Sequence, residues 1–171
     1  MHIKDIERCI SKVPDFPKKG ILFYDVSTLI SDSLAFKASI IQLSGLASKY
    51  DCDLIAGIDA RGFIFASALA LDLNKGMVMI RKKNKLPGNN KVHIEYELEY
   101  GKDTLEVNVN LQNKKILLVD DLLATGGTAK AAIKLIEKSG GDPVCFISLI
   151  ELDFLSGRKN IVIPIETLIQ Y

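Results

Sequence analysis

The sequence predicts an α/β fold, with a mostly parallel central sheet flanked by helices. Two observations carry that prediction. Asp53 to Ile58, Lys114 to Val119 and Val144 to Ile150 are short runs dominated by consecutive apolar residues, the pattern of strands buried on both faces. Segments with helical spacing lie between them. Strand–helix–strand repetition implies right-handed crossovers and a parallel sheet covered on both sides.

The elements follow in order. Phe36, Ile40, Leu43, Ala47 and Tyr50 are spaced 4, 3, 4 and 3 apart, one apolar stripe of a helix that Asp32 or Ser33 would cap. Asp53 to Ile58 is the first buried strand, ending in Asp59. Gly62 to Leu73 reads as a helix with almost no polar face, so it is expected to be buried. Gly76 to Ile80 and Lys114 to Val119 read as strands. Thr128 to Ser139 reads as a helix with Ala129, Ile133 and Ile136 in register. Gly140 and Gly141 end it, because glycine accepts the left-handed cap conformation cheaply. Val144 to Ile150 is a further strand. Two segments stand outside this core: Val13 to Asp25, rich in proline and aromatics, and Lys82 to Tyr100, polar and containing Leu86-Pro87-Gly88 and Asn89-Asn90. A long polar stretch inside a compact domain is usually functional or mobile. Glu95 to Val109 alternates as a hairpin would.

Length and composition bound what such a fold can do. A chain of 171 residues is one domain, large enough to bury a core without staples. With 22 basic and 21 acidic side chains the net charge is +1, which gives no support to a general electrostatic nucleic-acid binder. The composition is globular, at 48% apolar and 25% charged. No uncharged stretch reaches the roughly 18 residues of a membrane helix, and the charged Met1-to-Asp5 start shows no signal-peptide pattern. Three widely spaced cysteines (Cys9, Cys52 and Cys145) argue against a disulfide framework or a zinc finger and fit a reducing cytoplasm. His2 reads as frayed terminus and His93 as a solvated loop residue.

Three polar clusters fall at strand ends, where open parallel sheets bind ligands. Asp120 and Asp121 close one strand, and Ala124, Thr125, Gly126, Gly127 and Thr128 form a small-residue loop opening a helix. Backbone N–H groups converge in such a loop, and the helix start adds partial positive charge, which makes a phosphate cradle. Carboxylates beside a phosphate loop suit a sugar phosphate, with hydroxyls on the acids. The glycines are adjacent and no Gly-Lys-Ser/Thr follows, so the loop is neither a dinucleotide fingerprint nor a Walker loop. Asp59, Ala60, Arg61 and Gly62 form the second cluster, where arginine suits multidentate phosphate contact. Arg81 to Lys85 places four cations in five residues, able to clamp a diphosphate or simply to face solvent.

Taken together, these residues resemble the type I phosphoribosyltransferases, whose signature is the hydrophobic strand, acidic pair and Thr-Gly-Gly-Thr loop. Within them the chain is similar to the adenine phosphoribosyltransferase family. The matching segments, in order, are Pro14 to Pro17 with Gly20 to Phe23, Ala60 to Phe63, Arg81 and Lys82 with Lys85 to Gly88, Leu98 to Gly101, and Val119 to Thr128. The resemblance spans about Val13 to Tyr171. It implies one domain over 1–171: an N-terminal helix and base-binding hood over 1–30, then a core over 31–171 with a mobile hairpin catalytic loop at about 83–101.

The implied reaction is magnesium-dependent: adenine and 5-phosphoribosyl-1-diphosphate give AMP and diphosphate. By the resemblance, Ala124 to Thr128 hold the 5-phosphate and Asp120 and Asp121 the ribose hydroxyls. Asp59 to Gly62 form the diphosphate loop, with a cis peptide between Asp59 and Ala60. Arg61, Arg81, Lys82 and Lys85 neutralise the diphosphate. Glu99 and Tyr100 close over the site, Glu99 as general acid or base. Leu22, Tyr24 and Leu152 meet adenine. Tyr24 departs from the arginine common there, exchanging a cation for a stacking ring. Mg2+ is expected to be held mainly by substrate, with no direct protein ligand assigned. The resemblance also implies a homodimer, and no nucleic-acid or membrane partner. Two rivals remain: a phosphoribosyltransferase for another nucleobase, and a non-catalytic sensor of the ribosyl diphosphate.

Overall fold

The computed structural model describes residues 1–98 and 101–171. They fall into two compact units, Met1–Gln42 and Leu43–Tyr171. The segment expected to form the hood, 1–30, lies within the first.

In the first unit, α1 (Ile3–Arg8) precedes β1 (Ser11–Pro14) and β2 (Leu22–Asp25), an antiparallel pair. Their connection carries a cis Phe16–Pro17 bond. Asp15, at φ +57°, accepts a hydrogen bond from the Gly20 N–H at 2.6 Å. Aspartate tolerates the left-handed region because its short side chain bonds local backbone. After α2 (Ser27–Ser31) comes α3 (Ser33–Ala47), which crosses the unit boundary. Asp32 is its cap: Oδ1 accepts the N–H of Leu34 at 2.9 Å and of Ala35 at 3.0 Å. Those donors have no partner inside the helix, so the carboxylate satisfies them.

In the second unit, β3 (Leu54–Ile58), β4 (Gly76–Lys82), β5 (Val92–Leu98), β6 (Gly101–Val107), β7 (Lys115–Leu123), β8 (Asp142–Glu151) and β9 (Ile165–Gln170) form one sheet ordered β5-β6-β4-β3-β7-β8-β9. Strands β4, β3, β7, β8 and β9 are parallel, and β6 and β5 turn antiparallel at the β4 edge. The consecutive apolar runs are the central strands, as expected. Ile116, Leu117, Leu118 and Val119 are all fully buried, so β7 is covered on both faces. Each such side chain contributes roughly 1.5–3 kcal/mol of burial.

Helices α4 (Gly62–Asp72) and α5 (Gly127–Lys138) follow β3 and β7. On α4 the buried residues are Gly62, Phe65, Ala66, Leu69 and Ala70, a single face. Leu71 is 84% exposed and Ile64 37%, so the expectation of an all-round buried helix is corrected. Apolar composition alone does not identify the packed face. Small residues set it: a Cβ on Gly57 of β3 would come within 2.7 Å of the Ala66 Cβ. Helix α5 ends as glycine demands. Gly140 sits at φ +80°, its N–H donates to the Glu137 carbonyl at 2.9 Å, and the Gly141 N–H donates to the Ile136 carbonyl at 3.0 Å. That pair of bonds satisfies carbonyls the helix leaves open.

Two further expectations change. The polar stretch from Lys82 to Tyr100 is expected to stand outside the core. Instead β5 starts at Val92, and Val92, Ile94 and Tyr96 pack against the core at period two. Leu86 is buried, and Lys91 pairs with the buried Glu106 at 3.3 Å. Strand β9 is an addition to the elements read from the sequence. Among the described residues, no helix is long and apolar enough to cross a membrane.

Candidate active site

Parallel pairing brings the carboxyl ends of β3, β4 and β7 to one edge of the sheet. The clusters read from the sequence meet there. Asp59 follows β3 directly, and its peptide bond to Ala60 is cis, as the resemblance implied. One Asp59 carboxylate oxygen takes Arg81 Nε at 2.8 Å and the Lys82 backbone N–H at 3.2 Å. Burial raises the Asp59 pKa, but these donors outweigh it and hold the carboxyl below its ordinary value. Arg81 also lies 5.5 Å from the Phe63 ring centroid, a cation–π contact that limits its swing.

Asp120 and Asp121 do not close β7. The strand runs on to Leu123, so both carboxylates sit inside it, near its end. Asp121 is 4% exposed and forms an ion pair with Arg61, Nε to Oδ2, at 2.9 Å. Asp120 accepts the Asp121 N–H at 2.9 Å. Burial raises the Asp120 pKa well above its ordinary value, and the Asp121 charge adds to this. Burial raises Asp121 too, against the pull of Arg61. Gly62 makes the close approach possible: a Cβ there would lie 2.8 Å from Asp120 Oδ1 and 3.0 Å from the Val119 carbonyl oxygen. The Asp59–Gly62 loop therefore lies directly against the acidic pair.

Beyond β7, Ala124 and Thr125 lead to Gly126 at φ +80°, the cap of α5, with Gly127 and Thr128 in its first turn. A left-handed residue before a helix turns backbone N–H groups toward one point, the arrangement that binds anions. Lys82 extends to Asp103 on β6, whose pKa burial raises but Lys82 and the Thr104 N–H lower overall. Tyr96 donates toward Asp103 at 3.4 Å. Sequence reasoning missed Tyr96 and Asp103. The signal was present in the alternating hairpin, where the two are direct cross-strand partners.

Other expected residues are placed differently. Lys85 is exposed in the turn after β4, and its backbone N–H donates to the Lys82 carbonyl at 3.2 Å. Leu152 is 8% exposed just after β8. In the first unit, Leu22 is 43% exposed on β2, whereas Tyr24 is only 6% exposed. Burial and then Glu7 raise the Tyr24 phenol pKa. So little of its ring is free that Leu22 is the more accessible of the two. Glu99 and Tyr100 lie outside the described residues.

Among the described residues no three His, Cys, Asp or Glu side chains converge to cage a metal. The all-oxygen pair Asp120–Asp121 nevertheless suits a hard, largely substrate-bound cation. Arg61 is the cation paired with Asp121, and burial beside that second carboxylate makes positive charge near Asp120 favourable.

Known proteins share both the sequence and the fold of this chain. Residues 30–166 match the family described as phosphoribosyl transferase domain. An adenine phosphoribosyltransferase of Rhodospirillum rubrum is 47% identical over 173 residues, covering 100% of this chain and 99% of that protein. The crystal structure of adenine phosphoribosyltransferase from Thermoanaerobacter pseudethanolicus is 44% identical with a TM-score of 0.95, covering 99% of this chain and 100% of that one. A Saccharomyces cerevisiae adenine phosphoribosyltransferase, complexed with an imino-altritol bisphosphate and adenine, is 35% identical with a TM-score of 0.90, covering 97% of each chain.

Proposed function

The chain belongs to the phosphoribosyl transferase family, among its adenine phosphoribosyltransferases, and from that premise we propose how its own residues carry the transfer. The substrates are adenine and 5-phosphoribosyl-1-diphosphate, and the products AMP and diphosphate. The observation that carries this reading is the juxtaposition of Asp120 and Asp121 with the Gly126 cradle on one side and the Asp59–Gly62 loop on the other.

The 5-phosphate enters the cradle of Ala124 to Thr128, where N–H groups and the start of α5 favour its charge. Asp120 and Asp121 take the ribose hydroxyls. Asp59 to Gly62, with Arg81 and Lys82 nearby, face the diphosphate. Lys85 would join them from its exposed turn. As the C1–O bond to diphosphate breaks, the ribose becomes oxocarbenium-like, and the neighbouring carboxylates favour that positive charge. Adenine N9 forms the new bond to C1, and its proton passes to a base. Glu99 is the proposed acceptor and Tyr100 its companion, on the strength of the sequence resemblance. Bound magnesium would neutralise charge on the departing diphosphate, held mainly by substrate oxygens with Asp120 and Asp121 near. Leu22, Tyr24 and Leu152 are the residues to substitute singly for effects on adenine.

The test is AMP formation from adenine and 5-phosphoribosyl-1-diphosphate, followed by chromatography with and without a chelator. Turnover with magnesium, lost on chelation and restored by added Mg2+, is expected. Undiminished turnover in chelator contradicts the magnesium proposal, and donor binding without AMP would favour the sensor reading.

A further inference from the structure

Behind the phosphate cradle lies a turn that no motif announced. The chain leaves β8 at Glu151, passes through short 3-10 turns at Asp153–Leu155 and Gly157–Asn160, and returns as β9. Gly157 packs against the back of the cradle so closely that a Cβ there would collide with the Ala124 carbonyl oxygen. Conversely, a Cβ on Gly126 would come within 2.5 Å of the Gly157 carbonyl oxygen. Asn160 Nδ2 donates to the Thr125 carbonyl at 2.8 Å. Thr125 C=O and Gly126 N–H belong to one planar trans peptide and point in opposite directions. Gripping the carbonyl therefore fixes where the Gly126 N–H points.

The turn itself is held rigidly. Arg158 forks onto Glu151, Nε to Oε1 at 2.6 Å and Nη2 to Oε2 at 2.8 Å. Its Nη1 donates to the Ile165 carbonyl at 3.2 Å. Glu151, 1% exposed, also accepts Thr167 Oγ1 and Gln170 Nε2, each at 3.0 Å. A buried carboxylate with this many donors is satisfied and locked, and the bidentate fork fixes orientation as well as distance.

We propose that Asn160 is a positioning residue: from a turn clamped by Arg158 and Glu151, it holds the Thr125–Gly126 peptide in the orientation that receives the 5-phosphate. This rests on the assignment of that loop to the 5-phosphate. Asn160 is exposed, so replacing it leaves the core intact.

The experiment is calorimetric titration of the full chain with ribose 5-phosphate, for wild type, Asn160→Ala, Asn160→Asp and Asn160→Gln, alongside thermal melts and the AMP assay. Asn160→Ala and Asn160→Asp are expected to bind roughly fivefold more weakly, the worth of one ordinary hydrogen bond. Asn160→Gln, which keeps the amide donor, should recover part of the affinity, and all melting temperatures should match wild type. In the AMP assay the KM for the ribosyl donor should rise while that for adenine stays constant. Wild-type affinity in Asn160→Ala overturns the proposal, as does equal weakening in Asn160→Gln or a failure of wild type to bind ribose 5-phosphate. If wild type binds ribose 5-phosphate with the expected pattern but makes no AMP, the brace stands and the assigned reaction fails.

Discussion

At neutral pH, Asp120 costs the fold stability, first through its burial and then through the Asp121 charge beside it. Its folded pKa is raised by burial and by that neighbour. A carboxyl of this kind makes the fold lose stability as pH climbs from the unfolded value, about 4, toward the folded one. Asp120→Asn keeps an oxygen that can accept the Asp121 N–H but removes the charge. The variant is therefore expected to melt above wild type at pH 7 and to lose that margin below about pH 4. Its turnover should fall on the order of 10²-fold, as when one preorganised electrostatic group is removed from an active site. Melting curves and initial rates across pH check both. A variant that melts lower at pH 7 contradicts the electrostatic account of the pair. Arg61 enters the same balance, because it is the cation holding Asp121.

At the scale of elements, the β8–β9 junction illustrates the opposite sign. Burial raises the Glu151 pKa, but Arg158, Gln170 and Thr167 outweigh it and keep the carboxyl below its ordinary value. Its stabilisation is present above the unfolded pKa and is lost as pH falls through the folded one. Removing Arg158 leaves a buried carboxylate without its cation. Arg158→Ala should cost roughly 3 kcal/mol at pH 7, or about 6–12 °C of melting temperature for a domain of this size. Below about pH 4, where Glu151 protonates in the unfolded chain, the gap should narrow. A gap independent of pH would show that packing of the arginine stem, not its charge, is what matters. The junction also shows why part of the fold is hidden from sequence reading. Ile165 to Gln170 does not alternate, since Glu166 and Thr167 are adjacent polar residues and Leu168 and Ile169 adjacent apolar ones, and the pairing partner of β9 lies back in β8. Local pattern carries no information on that partner.

Across the whole molecule, the parallel core is legible because central strands must be apolar on both faces, as Leu54 to Ile58 and Ile116 to Val119 are. The turn into α5 is legible because Gly126 and Gly127 stand between an apolar strand pattern and a helical one, and Gly126 takes φ +80° there. Side-chain pairing is not legible. In the sequence Arg81 is one of four cations in a charged run, yet it pairs with Asp59. Lys82 likewise pairs with Asp103, on a neighbouring strand far along the chain. Nor can alternation at Val92, Ile94 and Tyr96 reveal that the hairpin extends the sheet, since a period-two apolar face does not say which strand the hairpin pairs with. The exposed face of α4 is a further case: apolar composition predicts burial, and only the small residues Gly57 and Ala66 reveal which side packs. The proposed transfer to adenine is the property of the intact chain that all these parts would serve. The most direct measurement is kcat/KM with 5-phosphoribosyl-1-diphosphate and magnesium for adenine, hypoxanthine, guanine and uracil offered separately. AMP from adenine alone is the expected result. Equal or faster turnover of another base would contradict the assignment.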